Sequence, residues 1–188
     1  MRIILGSQSP RRATILKELG YEFEVMPADI DELAIRSEDP AELALLLARA
    51  KVDVLLPKIT PPAMLITSDL IVVWNGHIRE KPTSPEEARR FLIECSQAEC
   101  VCIAGVSVIN CATGIRREGT DRASVWLNPI PASLIEELVA SGDPYGWGGG
   151  FEISDPRIVP YLARMEGDRT TVMGLPGALV KQFLEDGL

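Results

Sequence analysis

A chain of 188 residues, 46% hydrophobic and 24% charged, is long enough for one globular domain, or for one domain with two lobes. Its 27 acidic and 19 basic residues give a net charge of −8, which argues against non-specific binding to nucleic acid or to an anionic membrane. The apolar runs are too short for a transmembrane helix and no signal peptide is evident, so we expect a cytoplasmic protein without a membrane partner.

The predicted elements mix helices with hairpins and parallel strands, which favours the α/β class and a single domain over 1–188. In chain order they begin with a strand at 2–6, a helix at 10–19 ended by Gly20, a strand ending near Met26, an acidic loop, a helix within 38–59, a buried strand at 64–74 and a return strand ending at Lys81. They continue with a helix from Ser84 to about Ser96, strands at 99–110 and 115–127, a helix at 131–140, a Gly-rich loop at 141–158 with little intrinsic order, a short apolar segment and a helix at 174–188.

Histidine and cysteine chemistry is disfavoured. The single histidine, His77, follows an Asn-Gly turn, which is typical of a surface position. The four cysteines, at positions 95, 100, 102 and 111, have neither the spacing nor the histidine partners of a zinc site, so we expect buried reduced thiols. Any chemistry must therefore use carboxylates, lysines, arginines or a metal ion.

The first strand-to-helix turn carries Ser7, Ser9, Arg11 and Arg12. Arginine is poorly suited to a helix N-terminus, since the helix dipole already makes that end positive. Backbone N–H groups there, together with hydroxyl and guanidinium groups, would bind phosphate. The alternative is that both arginines point into solvent and pair with carboxylates.

Two acidic positions are candidates for binding a metal ion or activating water. The segment PADIDE places Asp29, Asp31 and Glu32 beyond a strand, where their oxygens suit Mg²⁺ or Mn²⁺, although a solvated acidic loop is the simpler interpretation. Asp69 interrupts an apolar strand, where a carboxylate is costly to bury unless it is paired or binds a metal. It could also lie at an exposed strand end.

Lys51 and Lys81 complete the set, although each alone is typical of an ordinary surface lysine. Taken together, these positions suggest a phosphate pocket beside a carboxylate metal site. That arrangement fits metal-assisted attack of water on a phosphoanhydride.

The segments ILGSQSPRR, DIDE with LARAK, ITSDLIVVWNGHIREKP and VMGLP occur in this order over nearly the whole chain. They resemble the successive signatures of the Maf nucleotide pyrophosphatases. The resemblance implies a mixed, twisted central sheet flanked by helices, similar to inosine triphosphatase, with two lobes, a cleft between them and a homodimer as one expected assembly. It also implies hydrolysis of nucleoside triphosphates, including pyrimidine and modified nucleotides, to the monophosphate and pyrophosphate, with Mg²⁺ or Mn²⁺.

Carried over position by position, the resemblance implies specific roles for the matching residues. Ser7, Arg11 and Arg12 would hold phosphates. Glu32 and Asp69 would position the metal and the attacking water, with Asp69 as the proton acceptor. The two lysines, Lys51 and Lys81, would neutralise developing charge.

The chain departs from the family pattern at three positions. Two of them are positions that the family uses to choose the base, and the third loses a positive charge. Leu70 stands where the family usually has Thr or Gln, Trp147 replaces a lysine, and Ser154 replaces a glutamine. We therefore expect altered or broadened base choice, or reduced activity, with Trp147 as a residue that stacks on the base or simply packs. The competing interpretation is a non-catalytic nucleotide-binding protein, for example one in cell division control, that keeps the phosphate pocket.

Overall fold

The computed structural model describes residues 2–186, which form a mixed α/β fold on a seven-stranded sheet. The strands are β1 (Ile3–Leu5), β2 (Glu24–Val25), β3 (Met64–Trp74), β4 (His77–Arg79), β5 (Cys100–Asn110), β6 (Arg116–Leu127) and β7 (Leu162–Glu166). The helices are α1 (Pro10–Glu18), α2 (Pro40–Leu55), α3 (Pro85–Glu94), α4 (Ala132–Ser141), α5 (Arg169–Val172) and α6 (Gly177–Asp186). The predicted class, a mixed sheet flanked by helices, is confirmed.

The sheet follows the order β2-β1-β3-β5-β6-β7, and β4 pairs with β3 outside this path. Strand β1 is parallel to both of its neighbours, with Leu5 opposite Val25 on one side and Ile66 on the other. Strand β4 is antiparallel to β3, with Val73 opposite Ile78, and β7 is antiparallel to β6. The sheet therefore combines βαβ connections with hairpins, as the sequence predicts.

The described residues divide into two compact units, which correspond to the two expected lobes. The first unit contains residues 2–70, 103–121 and 174–186, and the second contains 71–102 and 122–173. Strands β3, β5 and β6 each contribute residues to both units. A cleft between the lobes and a single domain over 1–188 stay predictions.

Helix α2 packs against the sheet and forms part of the hydrophobic core of the first unit. Asp39 caps it, because its Oδ1 accepts hydrogen bonds from the backbone N–H of Ala41 at 2.8 Å and of Glu42 at 3.3 Å. Its apolar face packs against β1, β3 and β5 in a cluster of buried residues: Ile4, Val52, Leu55, Ile59, Ala63, Leu65 and Ile109. A Cβ atom on Gly105 would lie 2.5 Å from the carbonyl carbon of Ala44, so the helix backbone lies directly against β5.

Two predicted boundaries were wrong. The acidic segment is not a plain loop, since Glu32–Ala34 forms a 3-10 turn capped by Asp31, whose Oδ1 accepts from the N–H of Leu33 at 3.1 Å. Strand β4 ends at Arg79, so Lys81 lies beyond the strand rather than at its end. The carbonyl of Glu80, the residue after Arg79, accepts from the N–H of Gly149, which lies outside β3, at 3.1 Å.

The Gly-rich segment is more ordered than expected. It contains 3-10 turns at Asp143–Gly146 and Gly148–Gly150, followed by buried residues from Phe151 to Ile153. The prediction of little order was wrong because this segment packs closely on β3: a Cβ on Gly149, whose φ is +68°, would lie 2.8 Å from Cγ1 of Val72. The short apolar segment after it contains β7, and α5 follows, two elements that were not predicted.

The expectations for His77 and for three of the four cysteines are confirmed. Asn75 and Gly76 both have positive φ, 48° and 78°, and the following His77 is exposed. Cys95, Cys100 and Cys102 are free and buried, and Cys111 is free and half-buried. Burial raises the pKa of all four thiols, that of Cys100 to about 12.

Among residues 2–186, none of the helices has the length and apolar character that crossing a bilayer requires.

The close contact between Gly105 and helix α2 predicts a stability defect. Because a methyl group at this position meets backbone atoms, Gly105→Ala should lower the free energy of unfolding by about 1–3 kcal/mol, measured by urea denaturation. Gly146→Ala is the matched control, since a Cβ there would meet nothing within 4 Å. Equal midpoints for the two variants would contradict the proposed backbone contact.

Cysteine burial predicts selective alkylation. Iodoacetamide at pH 8 should label Cys111 in the native protein well before the three buried thiols, because it reacts with accessible thiolate. Mass spectrometry after urea unfolding should then show all four cysteines labelled. Native labelling of Cys100 at the rate of Cys111 would contradict the observed packing.

Candidate active site

The site begins at the turn between β1 and α1, where Gly6 lies close to β3. The N–H of Gly6 donates to the carbonyl of Ile66 at 2.7 Å, and a Cβ on Gly6 would lie 2.7 Å from Cγ2 of Thr67. The hydroxyl of Ser7 is buried and accepts from the N–H of Ser9 at 3.2 Å. Ser9 occupies the N-cap position of α1 without a side-chain cap, and the first turn has no acidic residue.

Arg12 points inward from this first turn. Its Nε donates to the carbonyl of Gly174 at 2.8 Å, and its Nη1 donates to the carbonyl of Ser68 at 2.6 Å and to Oγ of Ser7 at 3.2 Å. Nη2 lies 3.9 Å from Oδ1 of Asp69. Burial lowers the pKa of Arg12, and the nearby carboxylate of Asp69 opposes this shift. For Arg12, the solvent-facing alternative was wrong.

Arg11, one residue earlier, is half-buried and lies near enough for its charge to lower the pKa of Arg12. The two neighbouring arginines of the motif thus have different surroundings. Arg12 is buried among protein acceptors, and Arg11 retains partial access to solvent.

Three charged side chains meet beside this turn. Lys51, on α2, is buried, and its Nζ donates to Oδ1 of Asp69 on β3. The same Nζ lies 2.8 Å from Oε1 of Glu32, which is half-exposed on the 3-10 turn. Lys51 is therefore not an ordinary surface lysine, and Asp69 is buried rather than at an exposed strand end.

The first unit thus brings together most of the predicted phosphate and metal residues. Ser7, Arg12, Asp69, Lys51 and Glu32 form a continuous chain of polar contacts. Leu70 lies beside them at Gly174: a Cβ built there would be 3.5 Å from that of Leu70 and 3.4 Å from Nε of Arg12.

Three predicted site residues belong to the second unit. Lys81 is exposed, whereas Trp147 and Ser154 are half-buried. The hydroxyl of Ser154 donates to Oε1 of Glu152 at 2.7 Å, and its backbone N–H donates to the same oxygen at 3.0 Å. Their assignment to one site with the first-unit residues stays a prediction.

Sequence reasoning missed Ser68, Gly174 and Glu152. The hydroxyl of Ser68 lies 2.7 Å from the carbonyl of Gly105 and 2.9 Å from that of Gly174. Polar residues beside Asp69 in an apolar strand were a visible signal for Ser68. Glu152 is a buried carboxylate in a Gly-rich segment, and its single charge among glycines was the available signal.

Glu32 and Asp69 fit a divalent ion only as a pair. Within residues 2–186 there is no cluster of three or more His, Cys, Asp or Glu side chains that could hold a metal by itself. Mg²⁺ is commonly bound by one or two carboxylates together with substrate phosphates, and two carboxylates that converge on one ammonium group match that donor set.

Comparison with known proteins gives the context for this geometry. A family model described as Maf-like protein matches residues 2–187. A 7-methyl-GTP pyrophosphatase of Dictyostelium discoideum is 36% identical, covering 97% of this chain and 95% of that protein. A dTTP/UTP pyrophosphatase of Syntrophus aciditrophicus is 35% identical, covering 98% of this chain and 89% of its own length.

Among solved structures, a nucleoside-triphosphatase/dITP/XTP pyrophosphatase of Mycobacterium abscessus aligns with 100% of this chain and 95% of its own, at 15% identity and a TM-score of 0.41. A score this low adds nothing to the assignment. The family model and the two sequence relatives carry it, and on their evidence this chain belongs to the Maf-like protein family.

Proposed function

We propose that this protein is a nucleoside triphosphate pyrophosphatase, which converts a nucleoside triphosphate to the monophosphate and pyrophosphate. The observation that carries the proposal is the cluster of Asp69, Lys51 and Glu32 beside the turn that contains Ser7. A base, a cation and a second carboxylate next to an uncapped helix N-terminus are suited to phosphoanhydride hydrolysis. The sequence relatives named as pyrophosphatases support the same reaction.

The phosphate groups would bind at the start of α1. Ser7 and the first-turn N–H groups supply neutral donors, and Arg11 supplies a positive charge with partial solvent access. Lys81, exposed after β4, would neutralise charge on the leaving pyrophosphate. This division leaves the cluster around Asp69 for the chemical step.

In that step, a water oxygen forms a bond to the α-phosphorus while the bond from this phosphorus to the α,β-bridging oxygen breaks. Asp69 accepts the proton of the water, and the electron pair of the broken bond leaves on pyrophosphate. Lys51 holds the carboxylates of Asp69 and Glu32 in place through its ammonium group. The buried position of Asp69 limits competing contacts with bulk water.

Glu32 and Asp69 would hold Mg²⁺ or Mn²⁺ together with substrate phosphates, as their chemistry allows. When bound, such an ion would supply Lewis-acid stabilisation of the phosphate charge. The chain itself contributes the two carboxylates and the ammonium group that orients them.

The base-binding end would differ from that of most family members. Trp147 has a half-buried ring that could stack on a base, and Leu70 offers an apolar contact. The hydroxyl of Ser154 is engaged by Glu152, so it would act on the base through its orientation of that carboxylate. 7-Methyl-GTP, dTTP and UTP, named for the relatives, are the first substrates to test.

The reduced cysteines are compatible with the cytoplasm as the site of action. A homodimer stays a prediction.

Replacement of the proposed base should nearly abolish turnover. Asp69→Asn keeps the size of the side chain but removes the proton acceptor, so kcat should fall by about 10²–10⁴-fold. Pyrophosphate release is measured with Mg²⁺ or Mn²⁺ over common and modified nucleoside triphosphates. The control is Asp53→Asn, an exposed carboxylate on α2 that pairs with Arg116, and it should retain wild-type activity.

Wild-type turnover by Asp69→Asn would refute the assignment of the base. Binding of nucleotides by the wild-type protein without turnover of any would refute the enzyme and favour the alternative, a non-catalytic nucleotide-binding protein. The departures at Leu70, Trp147 and Ser154 are the features that favour this alternative.

Chelation should test the metal requirement. EDTA should abolish activity, and added Mg²⁺ or Mn²⁺ should restore it. Glu32→Gln should raise the metal concentration needed for half-maximal activity by about tenfold or more, because one of two oxygen ligands loses its charge. Glu38→Gln, at an exposed position before α2, is the control. Full activity in EDTA would contradict the metal proposal.

A further inference from the structure

Arg12 forms a polar network in the first unit that the proposed reaction does not use. Its guanidinium group donates to two backbone carbonyls, those of Ser68 and Gly174, and to the hydroxyl of Ser7. These contacts occupy Nε and Nη1, and the remaining nitrogen, Nη2, lies toward Asp69 at 3.9 Å. The donors of Arg12 are thus directed at the protein itself.

We propose that Arg12 is a positioning residue, which fixes the peptide of Asp69 and the segment at Gly174, and that the phosphate-binding arginine of the motif is Arg11 alone. This inference deepens the proposed function and rests on it for the catalytic step. It differs from the role that the family resemblance implies, in which both arginines hold phosphate.

Arg12 holds the peptide that precedes Asp69 in place. The carbonyl of Ser68 belongs to the peptide bond whose nitrogen is that of Asp69, so the 2.6 Å bond from Nη1 of Arg12 fixes the orientation of this peptide. A change of that peptide plane would displace the carboxylate from the Nζ of Lys51. Because reacting groups must be held to within about 0.5 Å, such a displacement would reduce the rate.

Arg12 and Ser68 also form a closed set of bonds with Gly174. Its carbonyl accepts from Nε of Arg12 at 2.8 Å and lies 2.9 Å from the hydroxyl of Ser68. Gly174 has a φ of +92°, which a residue with a side chain rarely adopts. Arg12, Ser68 and Gly174 therefore form a triangle that joins α1, β3 and the segment before α6.

Arg12 and Arg11 differ in their access to solvent. The side chain of Arg12 is 11% exposed, close to the 12% of Asp69, so a phosphate that reached it would have to compete with buried acceptors. A buried carbonyl that loses its hydrogen-bond donor destabilises the folded protein. Arg11 is half-buried, so its side chain retains partial access to solvent.

Arg12→Lys tests the proposal, because lysine keeps the charge but cannot reach three acceptors in a fixed planar arrangement. We expect kcat to fall by about tenfold to a hundredfold, while KM and the inhibition constant of pyrophosphate stay within about threefold of wild type. Arg11→Gln is the matched variant, and should raise both constants by about tenfold with kcat within about threefold.

Ser68→Ala is a second variant, which tests the same set of bonds if Arg12→Lys fails to fold. It removes one side of the triangle without changing a charge, and should lower kcat by about threefold to tenfold with KM unchanged. Thermal unfolding of each variant confirms that the protein assayed is folded. If Arg12→Lys does not fold, Ser68→Ala decides the outcome.

A binding experiment separates failure of this inference from failure of the proposed function. The dissociation constant of α,β-methylene-UTP should stay within about threefold in Arg12→Lys and rise about tenfold in Arg11→Gln, whether or not the protein turns over any nucleotide. Weakened binding in Arg12→Lys to the same extent as in Arg11→Gln would overturn the proposal. Unchanged kcat in both Arg12→Lys and Ser68→Ala would overturn it too.

Discussion

The burial of Asp69 within the long strand β3 is the constraint on which the rest of the site depends. An ionised carboxylate in that position costs several kcal/mol unless opposite charge and hydrogen bonds compensate it. Lys51 supplies the opposite charge directly, and the guanidinium of Arg12 lies within 3.9 Å. Lys51 is itself buried and also binds Glu32. The positive and negative charges of the cluster therefore compensate one another only when all of its members are counted.

The position of Lys51 in turn depends on how closely α2 approaches the sheet. Gly105 allows the helix backbone to contact β5, and the hydroxyl of Thr67 donates to the carbonyl of Ala48 at 2.7 Å, one turn before Lys51. The apolar cluster under α2 keeps the helix at this distance. The geometry of the charged site is therefore set by the core of the first unit, and not by the charges alone.

What the sequence predicted well depends on local chemistry. The helix within 38–59, the helix from Ser84 and the Asn-Gly turn before His77 follow from the preferences of a few adjacent residues. The structure has all three, with Asp39 and Ser84 as the caps of the two helices. The sequence could not show that Arg12 bonds to Gly174, because these residues are 162 positions apart and neither has a local pattern that requires the other. The order of the Gly-rich segment was missed for the same reason, since it arises from packing against β3.

The pair of arginines at the start of α1 shows how a helix can give two identical neighbours different functions. Successive helical residues point about 100° apart, so a turn that directs Arg12 toward the interior leaves Arg11 nearer the surface. The positive charge of Arg12 is unfavourable beside the helix N-terminus, and nothing in the first turn is acidic. The carbonyls of Ser68 and Gly174 and the carboxylate of Asp69 compensate it, so its stability comes from partners on other elements. Arg11 retains partial access to solvent, so a bound phosphate can approach its charge at the helix start.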